Sequence, residues 1–211
     1  MISDTSQSQK PLTEVFVEAM AGGCRWFMVR EKGLSTAELT SLTKMVTSAL
    51  GPSVSIIVNG DITAAEASGA DGVHLQTIED ILAARVCLFQ NKLIGYSAHS
   101  ISDAEQAAQA GADYVTLSPV FESRSKPGYS NTIGLSGLRD AANTLDIPII
   151  ALAGISVDNA PSVLSAGVRG IAIMGEIMRS NNPRRVTKQI LAVFEGRESP
   201  TRQIGRQLSE N

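Results

Sequence analysis

Residues 67–76 read ASGADGVHLQ. Gly69 is placed to stop a helix in a left-handed turn, and Gly72–Leu75 opens a short apolar run at once. MAGGCRWFMV (20–29), QAGADYVTLS (109–118) and SAGVRGIAIM (165–174) repeat the pattern around Gly23, Gly111 and Gly167. Each reads helix end, glycine, strand. The spacing of the four copies is uneven, so they are one architecture reused and not a solenoid.

Outward from these junctions, the apolar runs are Trp26–Val29, Val54–Val58, Gly72–Leu75, Leu93–Gly95, Tyr114–Leu117, Ile147–Leu152 and Gly170–Met174. Most are continuous rather than alternating, which predicts strands buried on both faces of a parallel sheet. Helical segments are expected between them. Ser35–Leu50 places Leu39, Leu42, Met45, Val46 and Ala49 at a three-to-four spacing. Ile62–Ser68, Ile78–Leu88, Ser102–Ala110, Gly134–Thr144, Asn159–Ala166 and Pro183–Val193 follow. The opening MISD is a candidate eighth, very short strand, with Leu12–Met20 as its helix. Eight strand–helix units predict a (β/α)8 TIM barrel, at the small end of that fold's size range. A doubly wound sheet needs a glycine fingerprint after its first strand, and none is present.

The chain has 211 residues, enough for one core and short for two, so residues 1–211 are expected to form a single domain. Aromatics are 4 % and net charge is -3, which counts against a nucleic-acid surface. No apolar run approaches a membrane span, and the start does not resemble a signal peptide. Cys24 and Cys87 lack ligand-like spacing. Two buried thiols in a reducing cytoplasm are expected.

A barrel places its chemistry at the C-terminal ends of its strands. Those ends carry, in order, Arg30-Glu31-Lys32; Asn59-Gly60-Asp61; His74, Gln76 and Glu79; Ser97, His99 and Ser100; Ser118, Ser123, Arg124, Ser125 and Lys126; Gly154 and Ser156; and Gly175-Glu176. Arg30 can fork onto a phosphate, while Lys32 and Lys126 act as point charges. Gly154 and Gly175 follow the last two strands, where backbone N–H groups commonly form a phosphate cup. The polar segment at 122–133 is long for a barrel loop and could fold over a ligand. His74 sits inside its strand, which favours a hydrogen-bonding role. His99 either sits at a helix cap or moves protons. No His/Cys cluster for zinc and no nucleophile elbow is present.

These residues resemble the thiamine-phosphate synthase / TenI superfamily of (β/α)8 barrels. The likeness runs through EAMAGGCRWFMVREK, IIVNG, ASGADGVHL, IGYSAHS, AGADYVTLSPVFESRSKPG, IPIIALAGIS and AGVRGIAIMGEI. It implies an enzyme of thiamine biosynthesis acting on a small phosphorylated thiazole. The implied binding residues are Arg30, Lys32, Asn59, Ser97, Ser123, Ser125, Lys126, Gly154 and Gly175. A homodimer is common in such barrels, and neither nucleic acid nor membrane is an expected partner.

The resemblance also implies a choice of branch. Synthases couple a pyrimidine diphosphate to the thiazole phosphate with Mg2+, and look for Asn-Asp after the third strand and Asp after the fourth. Here Asn59 is kept, Gly60 replaces the first Asp, Asp61 is one residue late, and Glu79 stands for the second. TenI-type thiazole tautomerases carry Asn-Gly at the first position, need no cofactor or metal, and use a histidine matching His99 as acid/base. Gly60 therefore favours the tautomerase, with His99 catalytic. The synthase is the alternative, with Glu79 and Asp61 as its candidate ligands. A non-catalytic carrier or regulator would keep Arg30, Lys126, Gly154 and Gly175 without needing His99.

Overall fold

The structure, a computed structural model, describes residues 1–88, 91–123 and 131–194. Strands β1 (Trp26–Val29), β2 (Ser55–Asn59), β3 (Gly72–Leu75), β4 (Leu93–Ala98), β5 (Tyr114–Leu117), β6 (Ile149–Leu152) and β7 (Gly170–Ala172) form one parallel sheet in sequence order. Helix α1 (Leu12–Ala21) precedes them, and α2 (Thr36–Leu50), α3 (Ile62–Ser68), α4 (Ile78–Cys87), α5 (Ile101–Gln109), α6 (Gly134–Thr144), α7 (Ala160–Leu164), α8 (Gly175–Met178) and α9 (Pro183–Ala192) lie between and after them. This is the TIM-barrel-like α/β fold that the alternating pattern predicts.

The eighth stave is reduced to a single bridge. Ile2 pairs with Met28, and Ser3 N–H donates to the Met28 carbonyl at 2.9 Å. Ile2 N–H donates in the other direction, to the Ile173 carbonyl beyond β7, also at 2.9 Å. Residues 1–3 thus tie the two edges of the sheet together.

The pleat divides the core in two, because successive side chains point to opposite faces. Phe27, Val29, Ile56, Val58, Val73, Leu75, Ile94, Val115 and Leu117 pack outward under the helices. Met28, Ile57, Leu93 and Ala172 join Ile2 inside the barrel, with Trp26, Ile150, Leu152 and Met174 against them. At about 25 cal/mol per Å2, burying such side chains on both faces supplies the main stabilisation of the sheet.

The junction glycines have positive φ, at 108° for Gly23, 71° for Gly69, 100° for Gly111 and 96° for Gly167. The aspartates in two of these junctions add a staple. Asp71 accepts from the Ile56 N–H and Asp113 from the Ile94 N–H, each at 2.7 Å, so the junction locks to the preceding strand. Arg85 pairs with Asp113 at 2.6 Å. The thiols are not both buried. Cys24 is half-buried, whereas Cys87 closes α4 on its solvent side and is exposed. No helix among the described residues is long and apolar enough to cross a membrane.

Candidate active site

The rim is built on a buried polar layer. His74 points into the barrel from β3 and is 2 % exposed. Its Nε2 lies 3.0 Å from Ser97 Oγ and 3.2 Å from Thr116 Oγ1, and its Nδ1 lies 3.2 Å from the Tyr114 hydroxyl. Each hydroxyl can donate or accept, so either tautomer satisfies the set. Burial pushes the His74 pKa down to about 3, so the ring stays neutral at ordinary pH. Burial likewise pushes the Tyr114 phenol up. Gly95 sits between these rings, and a Cβ there would overlap both the Tyr114 phenol and His74 Nδ1.

Sheet register sets the polar positions above this layer. Asn59 is paired with His74, and Ser97 with Thr116. Arg30 follows the Val29–Val58 pair and so lies beside Asn59. Asn59 Oδ1 accepts from Gln76 Nε2 at 3.2 Å. Gly154 and Gly175 follow β6 and β7, which are paired through Leu152 and Ala172.

The N-terminal turn, a 3-10 segment at Thr5–Gln7, also reaches this rim. Ser3 Oγ accepts from the Arg30 N–H at 2.8 Å and donates to Glu31 at 2.6 Å. Thr5 donates to the same carboxylate through its N–H and hydroxyl. Glu31 is therefore a fastener for the turn, while Lys32 is exposed. Asp4 is half-buried. Burial alone would raise its pKa, but hydrogen bonds from Ser6 and Gln7 and the charge of Arg30 hold it below the usual value.

His99 is exposed, and its Nδ1 lies 2.8 Å from the Ser118 carbonyl. A carbonyl only accepts, so Nδ1 carries a proton and, in the neutral ring, Nε2 holds the lone pair. Ser100 caps α5 by accepting from the Asp103 N–H, while Asp103 accepts from the His99 N–H at 2.8 Å and from the Tyr96 hydroxyl. Burial, followed by the Asp103 carboxylate, pushes Tyr96 up to about 12.

Ala153 and Gly154 both have positive φ, 79° and 67°. A Cβ at 154 would meet the Glu122 carbonyl and Phe121 Cβ at 2.6 Å, so this turn lies flat against the segment leading to Ser123. Ser123 is half-buried there. Arg124, Ser125 and Lys126, with most of the 122–133 segment, lie outside the described residues.

Among the described residues, Asp61 and Glu79 are not brought together as a magnesium site. Asp61 Oδ1 accepts from the Ala64 N–H and Oδ2 from Thr36 Oγ1, each at 2.7 Å, so one oxygen caps α3 and the other ties that cap to the start of α2. Glu79 is exposed in the first turn of α4. Among the described residues, no three His, Cys, Asp or Glu side chains are grouped to hold a metal. A hard cation needs oxygen ligands in fixed places, and the described side chains alone do not provide three of them.

One rim residue escaped the sequence reading. Arg179 is exposed and its Nη1 donates to Gln7 Oε1. Gln7 Nε2 in turn donates to Asp4 at 2.7 Å. The spacing of Gly175 and Arg179, four residues apart after a strand, was the available signal.

Fold and rim together define a β/α barrel with cations and paired glycines at the C-terminal ends of its strands. The chain matches the family described as Thiamine monophosphate synthase over residues 1–177, and it belongs to that family. It is 36 % identical to a thiamine-phosphate synthase of Clostridium novyi, covering 90 % of this chain and 95 % of that one. It is 34 % identical to one of Chloroflexus aurantiacus, covering 92 % and 90 %. Among solved structures, a thiamine phosphate pyrophosphorylase from Pyrococcus furiosus superposes with a TM-score of 0.81 at 33 % identity, covering 92 % of this chain and 93 % of that one.

These relatives overturn the expectation of a TenI-type tautomerase. Proteins 31–36 % identical over 90–92 % of this chain carry the synthase name. The tautomerase reading leaned chiefly on Gly60, with Glu79 and His99 beside it. Gly60 has φ 80° and donates its N–H to the His74 carbonyl at 2.8 Å, a backbone role that does not separate the branches.

Proposed function

We propose that the protein is a transferase that couples a pyrimidine diphosphate to a thiazole phosphate and releases pyrophosphate. The similarity to named thiamine-phosphate synthases over nine-tenths of the chain carries this reading. The chemistry of the rim agrees with it. A leaving diphosphate needs its growing charge neutralised. Arg30 and Lys32 lie where the β1 end meets Asn59, and Arg30 offers a planar fork for phosphate oxygens. Ser97, held by neutral His74, offers a half-buried hydroxyl near the end of β4. The thiazole phosphate would sit against the Gly154 and Gly175 loops, with Ser123, Ser125 and Lys126 as further candidate ligands.

In this reading His99 need not move a proton, since the substitution exchanges a carbon–oxygen bond for a bond to the thiazole. Its bond to the Ser118 carbonyl fixes the start of the loop that carries Ser123. The whole chain is proposed to act as one barrel domain.

The test is pyrophosphate release from both substrates together, measured with and without magnesium. Release that requires both substrates is the expected result. No release in either condition, with both ligands shown to bind, would refute the assignment. The magnesium arm separately reports whether substrate phosphates make up for the carboxylate missing at Gly60.

A further inference from the structure

We infer that Arg179 is a cation that grips the phosphate of the monophosphate substrate, and that Gly175 is glycine to make room for it. This rests on the transferase reading for the identity of that substrate. Three observations carry it.

The first is steric. A Cβ at position 175 would stand 2.6 Å from Arg179 Nη2 and 2.7 Å from Cζ, and closer still to Nη1. The guanidinium therefore fills the volume that any side chain at 175 would occupy. It lies directly over the first residue of α8, three residues past the end of β7.

The second is placement. Leu152 pairs with Ala172, so the turn at Ala153-Gly154 and the turn at Met174-Gly175 leave neighbouring strands at the same level. Both turns carry a glycine, one packed on Phe121 and Glu122 and the other under the Arg179 guanidinium. A guanidinium over one of them adds directed donors where the backbone alone has only N–H groups.

The third is charge. Arg179 is exposed, and its hydrogen-bond partner is the neutral amide of Gln7. The ion pairs among the described residues are Lys10–Glu14 and Arg85–Asp113. Asp4, at the far side of Gln7, is already engaged by Ser6 and Gln7. Gln7 thus aims the guanidinium without cancelling its charge, which leaves donors for an anion.

The test uses calorimetric binding of the thiazole phosphate and of its dephosphorylated alcohol to the full chain. Wild-type protein should prefer the phosphate. Arg179→Met should weaken phosphate binding about 10- to 100-fold, the range for hydrogen bonds to a charged group, and leave the alcohol unchanged. Gly175→Ala keeps the charge but evicts the guanidinium from its seat, and should show the same selective loss. Circular dichroism and thermal melts check that both variants fold. Equal loss for phosphate and alcohol, no loss in Arg179→Met, or a wild-type protein indifferent to the phosphate would each overturn the proposal. Binding is read without turnover. A protein that binds selectively but couples nothing refutes the transferase reading and leaves the role of Arg179 standing.

Discussion

Nε2 of His74 stands 3.0 Å from Oγ of Ser97, so a ring buried inside the barrel sets the direction of a hydroxyl on the rim. Ser97→Ala should lower kcat/KM for the coupling reaction about 10- to 100-fold. Stability should change by less than about 1 kcal/mol, because Thr116 Oγ1 still lies against the same nitrogen. Steady-state kinetics and denaturant melts of the pair measure both.

The same ring gives the fold a pH dependence. An unfolded histidine has a pKa of about 6.5, whereas burial holds His74 near about 3. Below the unfolded value the unfolded chain binds more protons, so stability falls as pH drops from 6.5 toward 3 and is complete above 6.5. Between pH 7 and 4.5 this contributes about 1–3 kcal/mol of loss. His74→Gln should melt lower than wild type at pH 7 and show a shallower slope across that interval.

Asp61 is predicted to be a capping residue and not a metal ligand. Asp61→Ala should cost about 1 kcal/mol of stability through loss of the α3 cap. Its rate at saturating substrates, and the magnesium concentration giving half that rate, should match wild type. A shifted magnesium dependence would return Asp61 to the metal site.

Ala153 is the one described non-glycine residue with positive φ. Left-handed backbone costs an alanine about 1–2 kcal/mol, and a glycine costs about 0.5–1 kcal/mol more in unfolded-state entropy. Ala153→Gly should therefore gain about 0.5–1 kcal/mol and raise the melting temperature by a few degrees.

Arg30→Ala should raise KM for the pyrimidine diphosphate about 10-fold or more, with added salt weakening wild-type binding further. Arg30→Lys should recover only part of it, since a lysine cannot reproduce the fork. An unchanged KM in Arg30→Ala would place the diphosphate elsewhere on the rim.

The barrel was legible because continuous apolar runs and glycine junctions report burial and turn geometry directly. Its strand ends were less so, for local reasons. β4 extends three residues beyond the apolar run, since Ser97 is a polar residue that points into the barrel toward His74. β6 starts two residues late because Pro148 has no N–H to give to a ladder. β7 stops at Ala172, and the Ile173 carbonyl is taken by Ile2. α8 is four residues long, too short to show a period, and Arg179 was hidden with it. Asp61 was readable in kind: a residue one place late in a turn meets a helix N-terminus. The branch was not, because a single substitution at Gly60 weighs little against similarity spread along the whole chain.

The closing bridge also fixes an order of events during synthesis. Ile2 leaves the ribosome long before Ile173, the carbonyl it must meet, and Gln7 waits 172 residues for Arg179. The first stave stays unpaired on that side until nearly the whole barrel has emerged. The seat of the Arg179 guanidinium is then among the last parts of the barrel to form, so the phosphate site proposed there is complete only when the barrel becomes a closed ring.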